Sequence, residues 1–206
     1  MSIIKLNNQA VKNATEFGSI SSLGSMVFIK KLTASSSATL SFVDGSDGVT
    51  LDNSYKEYLF TFNNIHPATD NAKLEFNLST DGGSNYNVTK TTTHFFSYHS
   101  EDDNDTALGY STGSDLAQST ANKIITNGIG NANDESASGT MSLFSPSSSI
   151  FVKHFFSRTN TYFSSNWSVE TYTAGYGNTT NPIDAIRFQM DSGNIDAGDI
   201  CLYGIA

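Results

Sequence analysis

Apolar and polar side chains alternate most clearly over residues 72–79 of the chain. Ala72, Leu74, Phe76 and Leu78 fill one set of positions, and Lys73, Glu75, Asn77 and Ser79 fill the other. Successive side chains of a β-strand point to opposite faces, so this pattern predicts a half-buried strand with Glu75 in solvent. The polar, glycine-containing stretch 80–85 follows and predicts a turn whose glycines adopt positive φ.

Similar short segments, rich in aromatic and β-branched residues, recur along the chain and predict about ten strands in total. They cover 26–33, 40–42, 58–62, 72–79, 89–98, 141–143, 150–156, 167–169, 186–190 and 200–205. Turn-forming residues separate them, and no stretch has the period of an amphipathic helix. The pattern therefore predicts an all-β fold, an antiparallel two-sheet sandwich of jelly-roll type.

Two segments lack this periodicity. Residues 1–22 are predicted to form an N-terminal arm that docks on a neighbouring subunit, which leaves 23–206 as a single β-sandwich domain. Residues 100–138 are polar and small, and predict one long loop or insertion, with 121–127 as a candidate strand in its middle.

Composition narrows the classes of partner. Serine, threonine and asparagine make up about a third of the 206 residues, and the net charge is -9. Such a surface repels phosphate, so nucleic acid and anionic membranes are not expected partners. No window is long and apolar enough for a membrane helix, and residues 1–7 do not resemble a signal peptide, so synthesis in the cytoplasm is expected. Cys201, the single cysteine, lies in an apolar run and is predicted to be a core residue.

Motifs for catalysis are weak, and the chain is not predicted to be an enzyme. Residues 109–113 match the G-x-S-x-G pattern of a nucleophile elbow, but no helix is predicted after the serine. Glu75 and Glu170 are candidates for the carboxylate pair of a glycosidase, although both are predicted to be isolated and to face solvent.

No cofactor is predicted from the histidines or the acidic residues. His94 and His99 are separated by an odd number of residues and should lie on opposite faces of a strand. His154 is predicted to be a hydrogen-bonded imidazole in the core or at an interface. A structural calcium ion at 101–105, or at Asp44 and Asp47, is the alternative, but neither stretch has the ligand order of an EF-hand.

Aromatic residues are densest between 162 and 176 and mark a candidate contact surface. Phe163 and Trp167 are expected in the core, whereas Tyr162, Tyr172 and Tyr176 are predicted to contact a partner or to stack on a sugar ring.

Three segments carry a resemblance to a known group of proteins. They are 55–65, an aromatic strand leading into a turn, then 74–86, and finally 183–205 with its closing Leu-Tyr-Gly-Ile. Together they resemble small β-sandwich virion proteins of tailed bacteriophages, of the capsid decoration or tail accessory type. The likeness covers about half of the chain. It implies a jelly-roll fold, a place in the virion, and contacts with other virion proteins and with copies of the chain itself, in an oligomer such as a trimer.

The sequence thus favours a phage virion structural accessory protein that decorates the capsid or forms part of the tail. The alternative is a receptor-binding or carbohydrate-binding tail module that takes a host surface glycan through 100–138 and 172–177. A polysaccharide-degrading enzyme is the third hypothesis.

Overall fold

The computed structural model describes residues 25–206, which form thirteen strands and no helix. In chain order the strands are β1 (Met26–Thr33), β2 (Leu40–Val43), β3 (Glu57–Pro67), β4 (Leu74–Ser79), β5 (Lys90–Ser100), β6 (Thr106–Tyr110), β7 (Leu116–Ser119), β8 (Lys123–Ile124), β9 (Ala137–Phe144), β10 (Lys153–Phe163), β11 (Trp167–Gly177), β12 (Ala185–Met190) and β13 (Ile195–Ile205). This part of the chain accordingly has no helix that could span a membrane.

The strands build two antiparallel sheets. The large sheet has nine strands in the order β1-β13-β3-β9-β10-β11-β5-β6, with β7 also paired to β5. The small sheet has four strands in the order β2-β12-β4-β8. The prediction of an all-β, antiparallel, two-sheet fold is therefore confirmed. The predicted arm, residues 1–22, lies outside the described residues.

Aromatic rings hold the two sheets together. Phe188 of β12 in the small sheet packs against Phe60 and Phe62 of β3 in the large sheet, with ring centroids 5.4 and 5.3 Å apart. Phe76 of β4 meets Phe155 of β10 edge to face at 5.0 Å. Such pairs contribute beyond the area that they bury. Because these contacts join both sheets, the sheets share one hydrophobic core.

Most predicted strands are present, with corrected ends. The strand predicted at 150–156 begins at Lys153, and Ile150 and Phe151 are exposed in the preceding loop. In the turn after β4, Gly82 and Gly83 have φ values of 68° and 79°, as the turn prediction requires.

Residues 100–138, predicted as one long loop or insertion, are not a single loop, and the candidate strand at 121–127 is present in part as β8. This segment contains β6, β7, β8 and the first residues of β9. β6 forms a hairpin with β5, and β8 extends the small sheet by two residues beside β4. These are short edge strands with few apolar residues, so they leave little alternation from which a strand can be predicted.

The prediction that Glu75 faces solvent is also wrong. All six residues of β4 are buried, and Glu75 retains only 9% exposure. Its carboxylate accepts hydrogen bonds from the side-chain amides of Asn122 and Gln189. Burial raises the pKa of Glu75. Asn122 belongs to the segment between β7 and β8, so a part of the chain that was predicted to be a loop covers this side chain.

Candidate contact surface

Strand β10 buries several polar side chains and exposes one aromatic ring. Its alternate residues Lys153, Phe155, Ser157, Thr159 and Thr161 are buried, whereas His154, Phe156, Arg158 and Asn160 are exposed. Phe155 contacts the small sheet, so the exposed set lies on the face of the large sheet that is turned away from it. Here hydroxyl groups lie inside the sandwich and a phenyl ring lies outside.

The neighbouring strands extend this outward-facing set. We call it the aromatic face, and it consists of Phe95, Leu108, Tyr110, Phe156, Tyr172 and Tyr176. Cross-strand pairing places Tyr172 opposite Phe95 on one side and Arg158 on the other, and places Phe95 opposite Tyr110. Phe156, Phe95 and Leu108 are 51%, 41% and 75% exposed. Large exposed apolar side chains grouped on one surface mark interaction sites.

Tyr172 lies at the centre of the aromatic face. Its ring stacks on Phe95 with centroids 4.9 Å apart and an angle of 7° between the planes. The Arg158 guanidinium lies 5.4 Å from the centroid of the Tyr172 ring, and Arg158 also forms an ion pair with Glu170. The two charges of this pair compensate each other, so the centre of the face combines aromatic area with no net charge.

A shallow groove of about 410 Å³ lies at one end of the aromatic face. Tyr176, His154 and Phe156 line it, together with the small side chains of Thr93 and Ala174. The rings of His154 and Tyr176 lie 6.1 Å apart at an angle of 63°. His154 is exposed here, so the prediction of a place in the core is wrong, and its place at an interface stays a prediction.

The three predicted tyrosines share one side of the large sheet. Tyr162 pairs with Ser168, Tyr172 with Arg158 and Tyr176 with His154, so the three rings lie at successive levels. Each level is four residues from the next, or about 13 Å along the strands. Tyr162 hydrogen-bonds to Glu101, and this bond raises the pKa of the phenol. The three side chains are therefore aligned along the strands but too far apart to contact one small ligand at the same time.

The other aromatic residues of this region lie apart from the aromatic face. Phe163 and Trp167, which were expected in the core, are only half-buried, and their rings stack on each other at 5.4 Å. Trp167 also stacks on Tyr98, with centroids 4.6 Å apart.

Basic side chains lie inside the sandwich, beneath the aromatic face. Lys90, Lys123 and Lys153 are all fully buried, and His94 is 1% exposed. The Lys123 ammonium group lies 3.2 Å from His94 Nδ1. Burial, and after it the charge of Lys123, lowers the pKa of His94 to about 4. Burial also lowers the pKa of Lys123, to about 7.

The remaining candidate residues are dispersed. His94 is buried and His99 exposed, so the prediction that they lie on opposite faces of one strand is confirmed. Cys201 is buried as predicted.

The candidate catalytic residues are not brought together. Ser111 of the G-x-S-x-G match donates a hydrogen bond to Ser114 Oγ at 3.1 Å, and no helix follows it. Glu170 belongs to the ion pair on the outer face. Within residues 25–206, no three His, Cys, Asp or Glu side chains are arranged to hold a metal ion.

Sequence reasoning missed Phe95, Tyr110 and Phe156 as surface residues. Phe155 and Phe156 are adjacent, so the sequence does not show which of the two faces the core. The alternation of Ser157, Thr159 and Thr161 with Arg158 and Asn160 carries no apolar signal, because both sets are polar.

Comparison of the chain with models of known families, with curated proteins and with solved structures found no match.

Proposed function

We propose that this chain is a non-catalytic structural subunit of a bacteriophage particle, and that it binds copies of itself through the aromatic face. The observation that carries the proposal is the exposed phenyl ring of Phe156 on β10, a strand that buries three hydroxyl side chains. Ser157, Thr159 and Thr161 lie inside the sandwich, while Phe156 is 51% exposed outside it. Because Phe156 is only half exposed, association would recover roughly half of the about 1.5–3 kcal/mol that full burial of a phenylalanine side chain contributes.

Charge indicates where on the surface two copies of the chain can meet. The net charge of -9 makes two copies repel each other over most of their surfaces. Beside Tyr172 the charges of Arg158 and Glu170 compensate each other, while Asp115 accepts a hydrogen bond from Tyr110 at the margin of the face. Two copies can therefore approach through the aromatic face with the least electrostatic cost. Tyrosine, phenylalanine and arginine are also the residues that protein interfaces favour.

The assignment to a phage particle rests on the resemblance of 55–65, 74–86 and 183–205 to small virion proteins. With it we propose that the strands are connected as in a jelly roll and that residues 1–22 form an arm. A virion protein made in the host cytoplasm needs no disulfide, in keeping with the single buried Cys201. Mass spectrometry of purified virions should find the chain at a fixed ratio to the major capsid protein. Its absence from virions of a phage that encodes it would contradict the assignment.

Sedimentation equilibrium of the purified chain tests the self-association. Wild type should form a discrete oligomer, and Phe156→Ser should shift it toward monomer. Phe28→Ser is the matched control, because Phe28 is similarly exposed at 57% but lies on β1, at the opposite edge of the large sheet. A monomeric wild type, or equal effects of the two substitutions, would contradict the proposed use of this face.

A second candidate function is binding of a host surface glycan in the groove beside Tyr176. Its volume of about 410 Å³ is within the range of small-molecule sites, and an aromatic ring can stack on the apolar face of a sugar. A glycan array probed with wild type and with Tyr176→Ala tests this function. If wild type binds one class of glycan and Tyr176→Ala does not, the result supports glycan binding. If no glycan on the array binds wild type, the result contradicts this function.

A further inference from the structure

Lys90 and Asn77 are in direct contact in the interior, across the two sheets. The Lys90 side-chain nitrogen, Nζ, lies 2.6 Å from Asn77 Oδ1. Lys90 begins β5 of the large sheet, and Asn77 lies within β4 of the small sheet. Lys90 is fully buried and Asn77 is 2% exposed. An amine and a carboxamide are thus held together away from water.

We propose that Lys90 and Asn77 form an intramolecular isopeptide bond that covalently joins the large sheet to the small sheet. A C=O bond is about 1.23 Å long, so Nζ lies at most about 3.8 Å from the amide carbon Cγ. This separation is close to the distance of about 3–3.5 Å from which attack proceeds. Rotation about the Cε–Nζ bond then turns the nitrogen lone pair toward Cγ.

The surroundings of Lys90 raise the fraction of the side chain present as the neutral, nucleophilic amine, to on the order of a tenth at pH 7. Its Nζ donates to the carbonyl oxygen of Val88 at 2.7 Å, and both of its hydrogen-bond partners are uncharged. Burial lowers the pKa of Lys90 to about 8, because no carboxylate compensates an ammonium charge there. A buried lysine of this kind loses its proton far more readily than one at the surface.

The surroundings of Asn77 favour attack at its carbonyl carbon. The backbone N–H of Leu78 donates to Asn77 Oδ1 at 2.9 Å and can stabilise the negative charge that develops on this oxygen. The nitrogen Nδ2 donates to the carbonyl oxygen of Thr120 at 3.0 Å and to Asn122 Oδ1 at 2.9 Å. Asn122 is itself held by its hydrogen bond to Glu75. The amide is therefore fixed at both ends.

The reaction is a transamidation that needs no cofactor or oxidant. The Lys90 lone pair forms a bond from Nζ to Cγ, and the carbonyl electrons move onto Oδ1. The tetrahedral intermediate collapses, the bond from Cγ to Nδ2 breaks, and the carbonyl re-forms. A proton lost by Nζ is transferred to Nδ2, which leaves as ammonia. The product is a secondary amide between the two side chains plus one ammonia.

The other two buried lysines within residues 25–206 lack an electrophile. Lys153 Nζ donates to the backbone carbonyl oxygens of Phe151 and Thr179, and Lys123 Nζ contacts His94 and the carbonyl oxygen of Ser114. Attack of a lysine on one of these backbone carbonyl groups would break the peptide bond and cleave the chain. Lys153 therefore provides a matched control for Lys90.

Trypsin digestion of the denatured full-length chain, followed by mass spectrometry, tests the bond. Residues 74–123 contain lysine only at 90 and 123 and contain no arginine. Acylation of Lys90 blocks cleavage after it, so wild type should give a peptide spanning 74–123 whose mass is lower than the sequence mass by one ammonia. Complete release of an unmodified peptide 74–90 from wild type would overturn the proposal, whatever the variants show.

Two variants and one control make the assignment specific. Asn77→Leu and Lys90→Met should each restore the full sequence mass, and Asn77→Leu should restore cleavage after residue 90. Lys153→Met should still lose one ammonia. Cyclisation of another asparagine also releases ammonia, but trypsin can then still cleave after Lys90. A loss of one ammonia together with normal cleavage after Lys90 would overturn the proposal. The aromatic face takes no part in the bond, so the two proposals can fail separately.

Discussion

Tyr172 of β11 stacks on Phe95 of β5 with their ring planes 7° apart, on the side of the large sheet that faces away from the core. The pair lies between Tyr110 on one neighbouring strand and Arg158 on another. A stacked pair in this position is already ordered before any partner arrives. Pre-ordering of this kind lowers the entropic cost of binding, which is why we regard Tyr172 as the central residue of the aromatic face.

Tyr172→Ala should weaken self-association more than any other single substitution on the face. Removal of a central aromatic anchor typically costs about 2 kcal/mol or more, which corresponds to a dissociation constant roughly 30-fold higher. Sedimentation equilibrium measures this constant directly. Tyr162→Ala is the control, because Tyr162 lies on the same side of the sheet but about 13 Å from the level of Tyr172 along the strands, beyond the end of the aromatic face. Equal effects of the two substitutions would contradict a central role for Tyr172.

Added salt should strengthen self-association. Each copy carries a net charge of -9, the Arg158–Glu170 pair on the aromatic face is internally compensated, and Asp115 beside Tyr110 adds a negative charge, so repulsion between copies is the main electrostatic contribution. Raising ionic strength from about 0.01 to 0.15 M shortens the screening length from about 30 to 8 Å and reduces that repulsion. The dissociation constant measured across this range should fall. A rise would indicate that ion pairs between copies dominate the interface.

Phe188→Ala should destabilise the fold severely without altering the aromatic face. Phe188 is fully buried and its ring meets those of Phe42, Phe60, Phe62 and Phe76. Loss of such a side chain typically costs about 3–5 kcal/mol of unfolding free energy. Chemical denaturation measures this change, with Phe156→Ala as the exposed counterpart. A loss below about 1 kcal/mol for Phe188→Ala would contradict its central position in the core.

His94 should make the fold sensitive to acid. Burial lowers its pKa in the folded chain to about 4, whereas the unfolded chain has the ordinary value of 6.5. Between these values the unfolded state binds the proton and the folded state does not, so stability falls as pH decreases from about 6.5 to 4. The full loss is on the order of 3 kcal/mol.

Chemical denaturation at several pH values, compared with His94→Gln, isolates this contribution. The comparison is needed because burial shifts the pKa of Glu75 upward, and acid therefore affects that carboxyl in the opposite direction. Wild type should lose more stability than His94→Gln over this pH range. Parallel profiles would show that His94 titrates normally in the folded chain.

Several parts of the fold could be predicted from sequence because local chemistry dictates them. The alternation over 72–79 and the glycines at 82 and 83 specify a strand and a turn whatever surrounds them. The burial of Glu75 and Asn77 could not be predicted, since it depends on residues 120–122 folding back over β4. A strand that is buried on both faces can show the same alternation of apolar and polar residues as a half-buried strand. This happens when the polar side chains of the second face form hydrogen bonds within the protein interior.

The aromatic face was predictable only in part. Tyr172 and Tyr176 were identified because they stand in a polar stretch, where an aromatic residue suggests a contact role. Phe95 and Phe156 were not, because each adjoins another aromatic residue, Phe96 and Phe155. Only strand register decides which member of each pair points outward. The contact between Lys90 and Asn77 is likewise a product of register and of the packing of two sheets.

A cryo-electron microscopy reconstruction of a phage particle that carries this protein tests the central claim most directly. Neighbouring copies of the chain should cover Phe95, Phe156 and Tyr172 and exclude solvent from them. A particle in which these three side chains face bulk solvent, or from which the chain is absent, would contradict the proposed function.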